Sequence, residues 1–117
     1  MSIQRLRIEK RYSEIVIHNG TVHLAGQLAD DYDGDIREQT RQTLANIDRF
    51  LAEAGSDKTR ILSAQIFLAD IADFPAMNAQ WDAWVPSGQT PARATIEAKL
   101  ASPKYRVEIM DGAAVKD

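Results

Sequence analysis

An Asn-Gly pair between two alternating runs is the feature that most constrains how this chain folds. Residues 14–18 (EIVIH) and 21–27 (TVHLAGQ) read as two strand-type runs, and only Asn19 and Gly20 separate them. Alternation with a period of two is typical of strands, and Asn-Gly readily adopts the two positive φ angles of a tight turn. The sequence therefore predicts an antiparallel hairpin here.

Strand and helix periods then alternate along the chain. Residues 3–8 form a further strand, and residues 28–34 a loop. A helix is predicted over 35–54, where Asp35 and Glu38 have capping-box spacing and Gly55 is the expected left-handed terminator. Its apolar face is predicted from helical spacing and comprises Ile36, Thr40, Leu44, Ile47, Leu51 and Ala54.

The second half of the chain repeats this alternation. Residues 59–69 read as a strand, and a second helix is capped by Asp73, tolerates Pro75 in its first turn and closes at Pro86. Its apolar stripe comprises Phe74, Met77, Trp81 and Trp84. Residues 92–100 alternate cleanly, and residues 105–115 form a last strand in which Asp111-Gly112 is expected to cause weakening or a bulge. The order β-β-β-α-β-α-β-β predicts an α+β protein with both helices on one face of a mixed sheet.

Composition narrows the classes of function. A chain of 117 residues fits one domain, and zero cysteines exclude disulfides, thiolate nucleophiles and Cys-based zinc sites. The net charge is −3, and the basic segment RLRIEKR at 5–11 is short and interrupted by Glu9, so no nucleic-acid partner is expected. No signal-peptide h-region and no apolar run of about 20 residues is visible, so we expect a cytoplasmic protein without a membrane partner.

Five segments together resemble the RidA family, also called YjgF or endoribonuclease L-PSP-like. They are AGQ at 25–27, residues 34–56, residues 61–85 with WDAWV, PARATIEAKL at 91–100 and KYRVEIMDGAAV at 104–115. WDAWV and SPKY look closer to the short YoaB-like branch than to the best-studied deaminases. The resemblance implies a single RidA-like domain over 1–117, with a chorismate-mutase-like fold that forms a homotrimer with clefts between subunits. It also implies hydrolysis of reactive 2-imino or enamine acids to 2-keto acids and ammonia, with no cofactor and no metal.

The resemblance also assigns site residues. The arginine of the PAR motif that holds the substrate carboxylate corresponds to Arg93, and the glutamate of the last strand corresponds to Glu108. Further substrate-binding positions fall on Tyr12, Ala25, Gly26, Asn78 and Thr95. Three of these depart from the family pattern: Tyr12 follows Lys-Arg rather than Gly-Pro, Ala25 stands where serine is common, and Thr95 where cysteine is common.

Arginine and glutamate side chains suit the hydrolysis that the resemblance implies. The planar guanidinium of Arg93 can donate two parallel hydrogen bonds to a carboxylate, which orients the C=N carbon toward water. Glu108 can hold or deprotonate that water, or carry a proton to the leaving ammonia.

A turn at 101–104 predicts where these two residues lie relative to each other. It makes the last two strands a hairpin with Leu100 opposite Tyr105, which puts Arg93 opposite Gly112. Arg93 and Glu108 then share a sheet face about 13 Å apart. We therefore expect the site to join Arg93 of one chain to Glu108 of its neighbour.

Each candidate also has a purely structural interpretation. Arg93 at a strand start is typical of an arginine that pairs with a surface carboxylate. Glu108 is typical of an exposed edge-strand residue or of an ion-pair partner for Arg106. Tyr12 is equally typical of a packed aromatic residue. Asn78 is typical of a side chain that hydrogen-bonds to a nearby turn, and Thr95 of an ordinary strand residue. Trp81 and Trp84 favour core or subunit packing over base stacking. The calcium-like Asp31, Asp33 and Asp35 favour a loop and helix cap, and His18 and His23 lack a third metal ligand nearby.

Three classes of function remain open from the sequence. The first is an imine or enamine deaminase that depends on Arg93. The second is a non-catalytic, small-carboxylate-binding or regulatory trimer with the same clefts, which the departures at Ala25, Thr95 and the Gly-Pro position before Tyr12 favour. The third is a ribonuclease or translation inhibitor, against which the acidic charge balance argues. A protein-interaction role, such as a chaperone-like trimer, is a further alternative.

Overall fold

A computed structural model describes residues 2–117, in which six strands form one sheet and two helices cover one of its faces. The elements follow the predicted order β-β-β-α-β-α-β-β. Their bounds are β1 Gln4–Ile8, β2 Ser13–His18, β3 Thr21–Leu24, α1 Ile36–Glu53, β4 Ile61–Leu68, α2 Phe74–Trp84, β5 Ala92–Glu97 and β6 Val107–Ala114.

The hairpin predicted from Asn-Gly is confirmed. β2 and β3 pair in antiparallel fashion with His18 opposite Thr21, so Asn19 and Gly20 are the two turn residues. Both have positive φ, 52° for Asn19 and 77° for Gly20, as this tight turn requires. The turn fixes the register, and the register fixes which side chains of β2 and β3 face the helices.

Helix α1 begins and ends as its sequence predicts. The Asp35 carboxylate accepts a hydrogen bond from the backbone N–H of Glu38 at 2.9 Å, which satisfies one free donor of the first turn. The Glu38 side chain does not complete a capping box; it binds Arg41 instead. Gly55 follows the helix with φ 79°. The predicted apolar face is buried throughout and packs on the sheet.

The predicted pairing of the last two strands is wrong. β5 lies at the sheet edge and runs parallel to β4, and β6 lies between β3 and β4, so the strand order is β1-β2-β3-β6-β4-β5. Arg93 is therefore opposite Ala64 rather than Gly112. The physical reason is that β4, α2 and β5 form a parallel crossover unit, which requires the two strands to share a direction. Residues 98–106 then connect β5 to β6 across the end of β4, in place of a tight turn at 101–104.

Helix α2 begins at the expected residue without the expected cap. Asp73 occupies the N-cap position, but its side chain accepts no capping hydrogen bond. Its carboxylate instead lies 3.7 Å from the guanidinium of Arg106. Met77 and Trp81 of the predicted stripe are buried against α1 and the sheet, whereas Phe74 is 38% exposed.

The two faces of the sheet differ in composition. The helix-covered face carries the buried side chains of the central strands, such as Ile15, Val22, Ile66 and Ile109. The opposite face, which we call the open face, has no covering element among residues 2–117. Strand alternation and register place on it Val16, His23, Gln65, Phe67, Ala94, Ile96, Glu108 and Met110.

The prediction that Asp111-Gly112 bulges β6 is wrong. Both residues pair with β4, Asp111 opposite Ala64 and Gly112 opposite Ser63. The register shift lies in β4, between Ile61 and Ser63. Gly112 suits this position because an added Cβ would approach the Ser63 hydroxyl to 3.3 Å. The Asp111 side chain points to the helix-covered face and is 4% exposed. Within residues 2–117, no helix has the length and hydropathy needed to cross a membrane.

Candidate functional site

Four of the seven predicted site residues meet at one cleft. Tyr12, Ala25, Gly26 and Glu108 line a cavity of about 650 Å³ where β2, the segment after β3, and β6 lie side by side. Tyr12 follows the turn after β1 and is 55% exposed, so its ring is accessible rather than packed in the core. The strands position these residues, since the backbone N–H of Ala25 donates to the Glu14 carbonyl at 2.9 Å. We call this cavity the Glu108 cleft.

Glu108 lies directly over Gly26. A Cβ added at Gly26 would stand 2.0 Å from Oε2 of Glu108, so this position tolerates no side chain while the glutamate keeps its place. Burial raises the pKa of Glu108 above its ordinary value, because desolvation disfavours the charged carboxylate. A carboxyl group with a raised pKa at the wall of a cleft is suited to proton transfer.

The structural interpretations of Glu108 are wrong. β6 is an interior strand, so Glu108 is not an edge residue. Arg106, its suggested partner, pairs instead with Asp73. Within residues 2–117, no cation lies within 4.0 Å of the Glu108 carboxylate.

The other three predicted residues form a separate group at the edge strand β5. The Arg93 guanidinium donates to Oδ1 of Asn78 on α2 at 2.8 Å. It also lies 5.3 Å from the Trp81 ring centroid and 5.8 Å from that of Phe74, close enough for cation–π attraction. The hydroxyl of Thr95, two residues further along β5, is buried without a hydrogen-bond partner. We call this group the Arg93 cluster.

The neighbours in the Arg93 cluster hold the Arg93 guanidinium in position but do not neutralise its positive charge. The amide of Asn78 and the two rings orient it without supplying negative charge. Over the described part of the chain, no carboxylate lies within 4.0 Å of Arg93, so the surface ion-pair interpretation is wrong. An exposed, oriented and uncompensated guanidinium is suited to a planar anion such as a carboxylate.

Glu108 and Arg93 lie on opposite faces of the sheet. Arg93 is opposite Ala64, whose side chain is on the helix-covered face, whereas Glu108 is opposite Phe67 on the open face. The two residues are separated by three positions along β4 and by two strand spacings across the sheet. Standard strand dimensions then put their backbones about 14 Å apart. The prediction that they share a face is wrong, and within one chain they do not serve one small molecule.

The sequence missed two further polar residues of the Glu108 cleft, Glu14 and Gln27. Gln27 is 4% exposed, its backbone exchanges hydrogen bonds with Ile109 at 2.8 and 3.0 Å, and its side-chain amide donates to Ala25 and Glu14. Glu14 was detectable, because it lies two residues after Tyr12 at the start of β2. Gln27 completes the AGQ segment, but nothing local marks it as buried. The cleft also includes Arg49 and Tyr105.

The calcium-like aspartates act as a loop and a helix cap. Asp31 accepts from the backbone N–H of Asp33 at 3.0 Å, and Asp35 caps α1, which confirms that interpretation. Across residues 2–117, no cluster of three His, Cys, Asp or Glu side chains has the spacing of a metal site.

Comparison with known proteins identifies the family. The family model described as Endoribonuclease L-PSP matches residues 2–115. The RutC family protein YoaB of Escherichia coli K12 is 51% identical over 115 residues, covering 98% of this chain and all of the relative. A 2-iminobutanoate/2-iminopropanoate deaminase of Capra hircus is 36% identical over 104 residues, covering 84% of this chain and 75% of that protein.

Solved structures agree with this assignment. The crystal structure of a member of the YjgF protein family from Neisseria meningitidis is 48% identical and superimposes with a TM-score of 0.97, covering 100% of this chain and 98% of that one. The chain therefore belongs to the RidA/YjgF family.

Proposed function

We propose that this protein is a cytoplasmic, homotrimeric enamine/imine deaminase that hydrolyses reactive 2-imino acids to 2-keto acids and ammonia without a cofactor. The observation that carries the proposal is the division of the site. Arg93 and Glu108 lie on opposite faces of the sheet of one chain, which supports a site that is completed by two copies. The 36% identity to a 2-iminobutanoate/2-iminopropanoate deaminase supports the substrate class.

The open face of the sheet supports the assembly of several copies. Ile96 is 51% exposed and Met110 41% exposed, and Phe67 and Ala94 adjoin them on the same face. Exposed apolar residues grouped on one sheet face are typical of a surface that another protein covers. In the proposed trimer, a second copy covers this face and brings its Arg93 to the Glu108 cleft of the first.

The proposed roles follow from the chemistry of each group. Arg93 binds the substrate carboxylate in a bidentate manner, and Asn78 holds the guanidinium in position. Thr95 supplies a hydroxyl that lacks an internal partner. Tyr12, Ala25 and Gly26 line the space in which the C=N group is held. Glu108 transfers protons between the attacking water and the departing nitrogen, for which its raised pKa is suited.

The test is release of 2-keto acid from 2-iminopropanoate generated in situ by a serine dehydratase. Wild type is compared with Arg93→Ala, and with Arg37→Ala as a control that removes an exposed arginine of α1. We expect wild type and Arg37→Ala to accelerate hydrolysis, and Arg93→Ala to lose the acceleration. A wild-type rate equal to that of solvent, over several amino acid precursors, would overturn the deaminase proposal.

A second candidate is a non-catalytic trimer that binds small carboxylates. The observation that favours it is Ala25, which lines the Glu108 cleft with a methyl group and no hydroxyl. This candidate predicts that 2-keto acids bind through Arg93 while no imino acid is turned over. Titration calorimetry with pyruvate and 2-oxobutanoate, beside the hydrolysis assay, distinguishes the two functions.

A further inference from the structure

Glu14 presents a second carboxylate to the Glu108 cleft. In β2 the neighbouring Ile15 is opposite Leu24 and buried, and the Glu14 carbonyl accepts from the backbone N–H of Ala25, so Glu14 lies beside Ala25. The side chain is half-buried and lines the same cavity as Glu108. Across residues 2–117, no cation lies within 4.0 Å of its carboxylate, so an ion pair does not account for it.

A buried amide holds Glu14 in position. Nε2 of Gln27 donates to Oε1 of Glu14 at 3.3 Å and to the carbonyl of Ala25 at 3.0 Å. Gln27 is itself fixed by its paired backbone contacts with Ile109, the residue after Glu108. The contacts therefore connect the two carboxylates through three successive residues, 25–27.

Gly26 forms the floor between the two carboxylates. β2 and β6 are separated by one strand, and Glu108 lies about three positions further along the sheet than Glu14, so their backbones lie roughly 13 Å apart. Oε2 of Glu108 occupies the space above Gly26 where a Cβ would stand. Gly26 therefore lies between the two carboxyl groups, and the space over it leaves room for a small substrate and a water molecule.

We propose that Glu14 is a second acid–base residue of the deaminase, which takes the proton from the attacking water while Glu108 delivers one to the imine nitrogen. This inference rests on the proposed function. It gives the two glutamates different tasks, which hydrolysis of an imine requires, since one proton must leave the water and another must reach the nitrogen.

The proton transfers balance over one cycle. The proposed cycle requires the proton to start on Glu108 and not on Glu14. The water oxygen bonds to the C=N carbon, its proton passes to Glu14, and the π pair moves to nitrogen, which takes the Glu108 proton to give a carbinolamine. Glu14 then protonates the amine, the carbinolamine hydroxyl returns a proton to Glu108, and the C–N bond breaks to release ammonia and the 2-keto acid. Both glutamates return to their starting states.

An exposed carboxylate outside the cleft provides the control. Asp30, Arg49, Tyr12 and Tyr105 also line the cleft, so a variant at any of them alters the proposed site. Glu9 lies between β1 and β2, is exposed and does not line the cleft. Glu9→Gln therefore removes one negative charge and leaves the proposed acid–base pair in place.

The experiment compares wild type, Glu14→Gln and Glu9→Gln on 2-iminopropanoate. Glu14→Gln keeps an oxygen that accepts from Gln27 and removes only the ionisable group. We expect Glu14→Gln to lower kcat about 100-fold and to leave KM within about threefold. Glu9→Gln is expected to keep the wild-type kcat and KM. Glu14→Ala is expected to regain activity with added formate, a readout that misfolding does not produce.

Three outcomes separate this inference from the function on which it rests. An active wild type with a Glu14→Gln variant of equal kcat overturns the role of Glu14 and leaves the deaminase proposal standing. Absence of formate rescue in a weakened Glu14→Ala variant also overturns it. An inactive wild type overturns the deaminase proposal and this inference together.

Discussion

Asp111 makes the stability of this protein depend on pH in a direction opposite to that of most carboxylates. The side chain is 4% exposed on the helix-covered face, and neither carboxylate oxygen has a hydrogen-bond partner within residues 2–117. Burial raises its pKa from 3.8 to about 7, because the charged form cannot be solvated there. The folded protein therefore holds a proton at pH 5–6 that the unfolded chain releases.

The sign and size of the effect follow from this difference. Between pH 3.8 and about 7 the folded state binds more protons than the unfolded state, so the free energy of unfolding falls as pH rises through that window. The full difference of about three pH units corresponds to at most about 4 kcal/mol. This stability is fully present below pH 3.8 and is lost by the time the pH passes the folded pKa.

Asp111→Asn tests this linkage, because asparagine has nearly the same shape and does not ionise. We expect the free energy of unfolding of the variant, minus that of wild type, to rise by up to about 4 kcal/mol between pH 4 and pH 8. Urea denaturation at fixed protomer concentration measures it, since oligomer stability depends on concentration. The control is Asp82→Asn on the exposed side of α2, for which we expect the same difference at both pH values. A flat difference for Asp111→Asn would refute the reasoning.

Three further predictions concern Gly26, Gln39 and Asp35. Gly26→Ala introduces a Cβ at 2.0 Å from the Glu108 carboxylate, so we expect kcat/KM for imine hydrolysis to fall at least about tenfold; unchanged activity would contradict the close approach. Gln39→Leu leaves the backbone groups of residues 104 and 106 without their buried partner and should cost about 2–4 kcal/mol in urea denaturation, whereas a loss below about 1 kcal/mol would argue against it. Asp35→Ala removes the α1 cap and should cost about 1 kcal/mol in the same assay, and an unchanged midpoint would count against the cap.

The sequence predicts the elements of this fold well because their signals are local. The Asn19-Gly20 turn, the Asp35 cap and the Gly55 terminator each depend on a few neighbouring residues, and all three are confirmed. The order in which strands pair within the sheet does not depend on local signals. A short turn at 101–104 was compatible with a β5–β6 hairpin, but β5 ends at Glu97 and β6 begins at Val107, and the longer connection lets β6 enter the middle of the sheet.

The candidate site is predictable only in part for the same reason. The family resemblance pointed to Arg93 and Glu108, but the hairpin error put them on one face, whereas the register puts them on two. Glu14 and Gln27 were missed because their importance depends on β2, β3 and β6 lying side by side. A buried glutamine cannot be recognised from its neighbours in sequence, since its partners come from other strands.

The most direct test of the account is activity in mixed trimers of Arg93→Ala and Glu108→Gln. Each variant alone is expected to be inactive on 2-iminopropanoate. If each site joins Arg93 of one copy to Glu108 of another, trimers reassembled from an equal mixture contain intact sites, and we predict about a quarter of wild-type activity after random assembly. Mixed trimers, confirmed by native mass spectrometry, that stay as inactive as either parent would contradict a site shared between two copies.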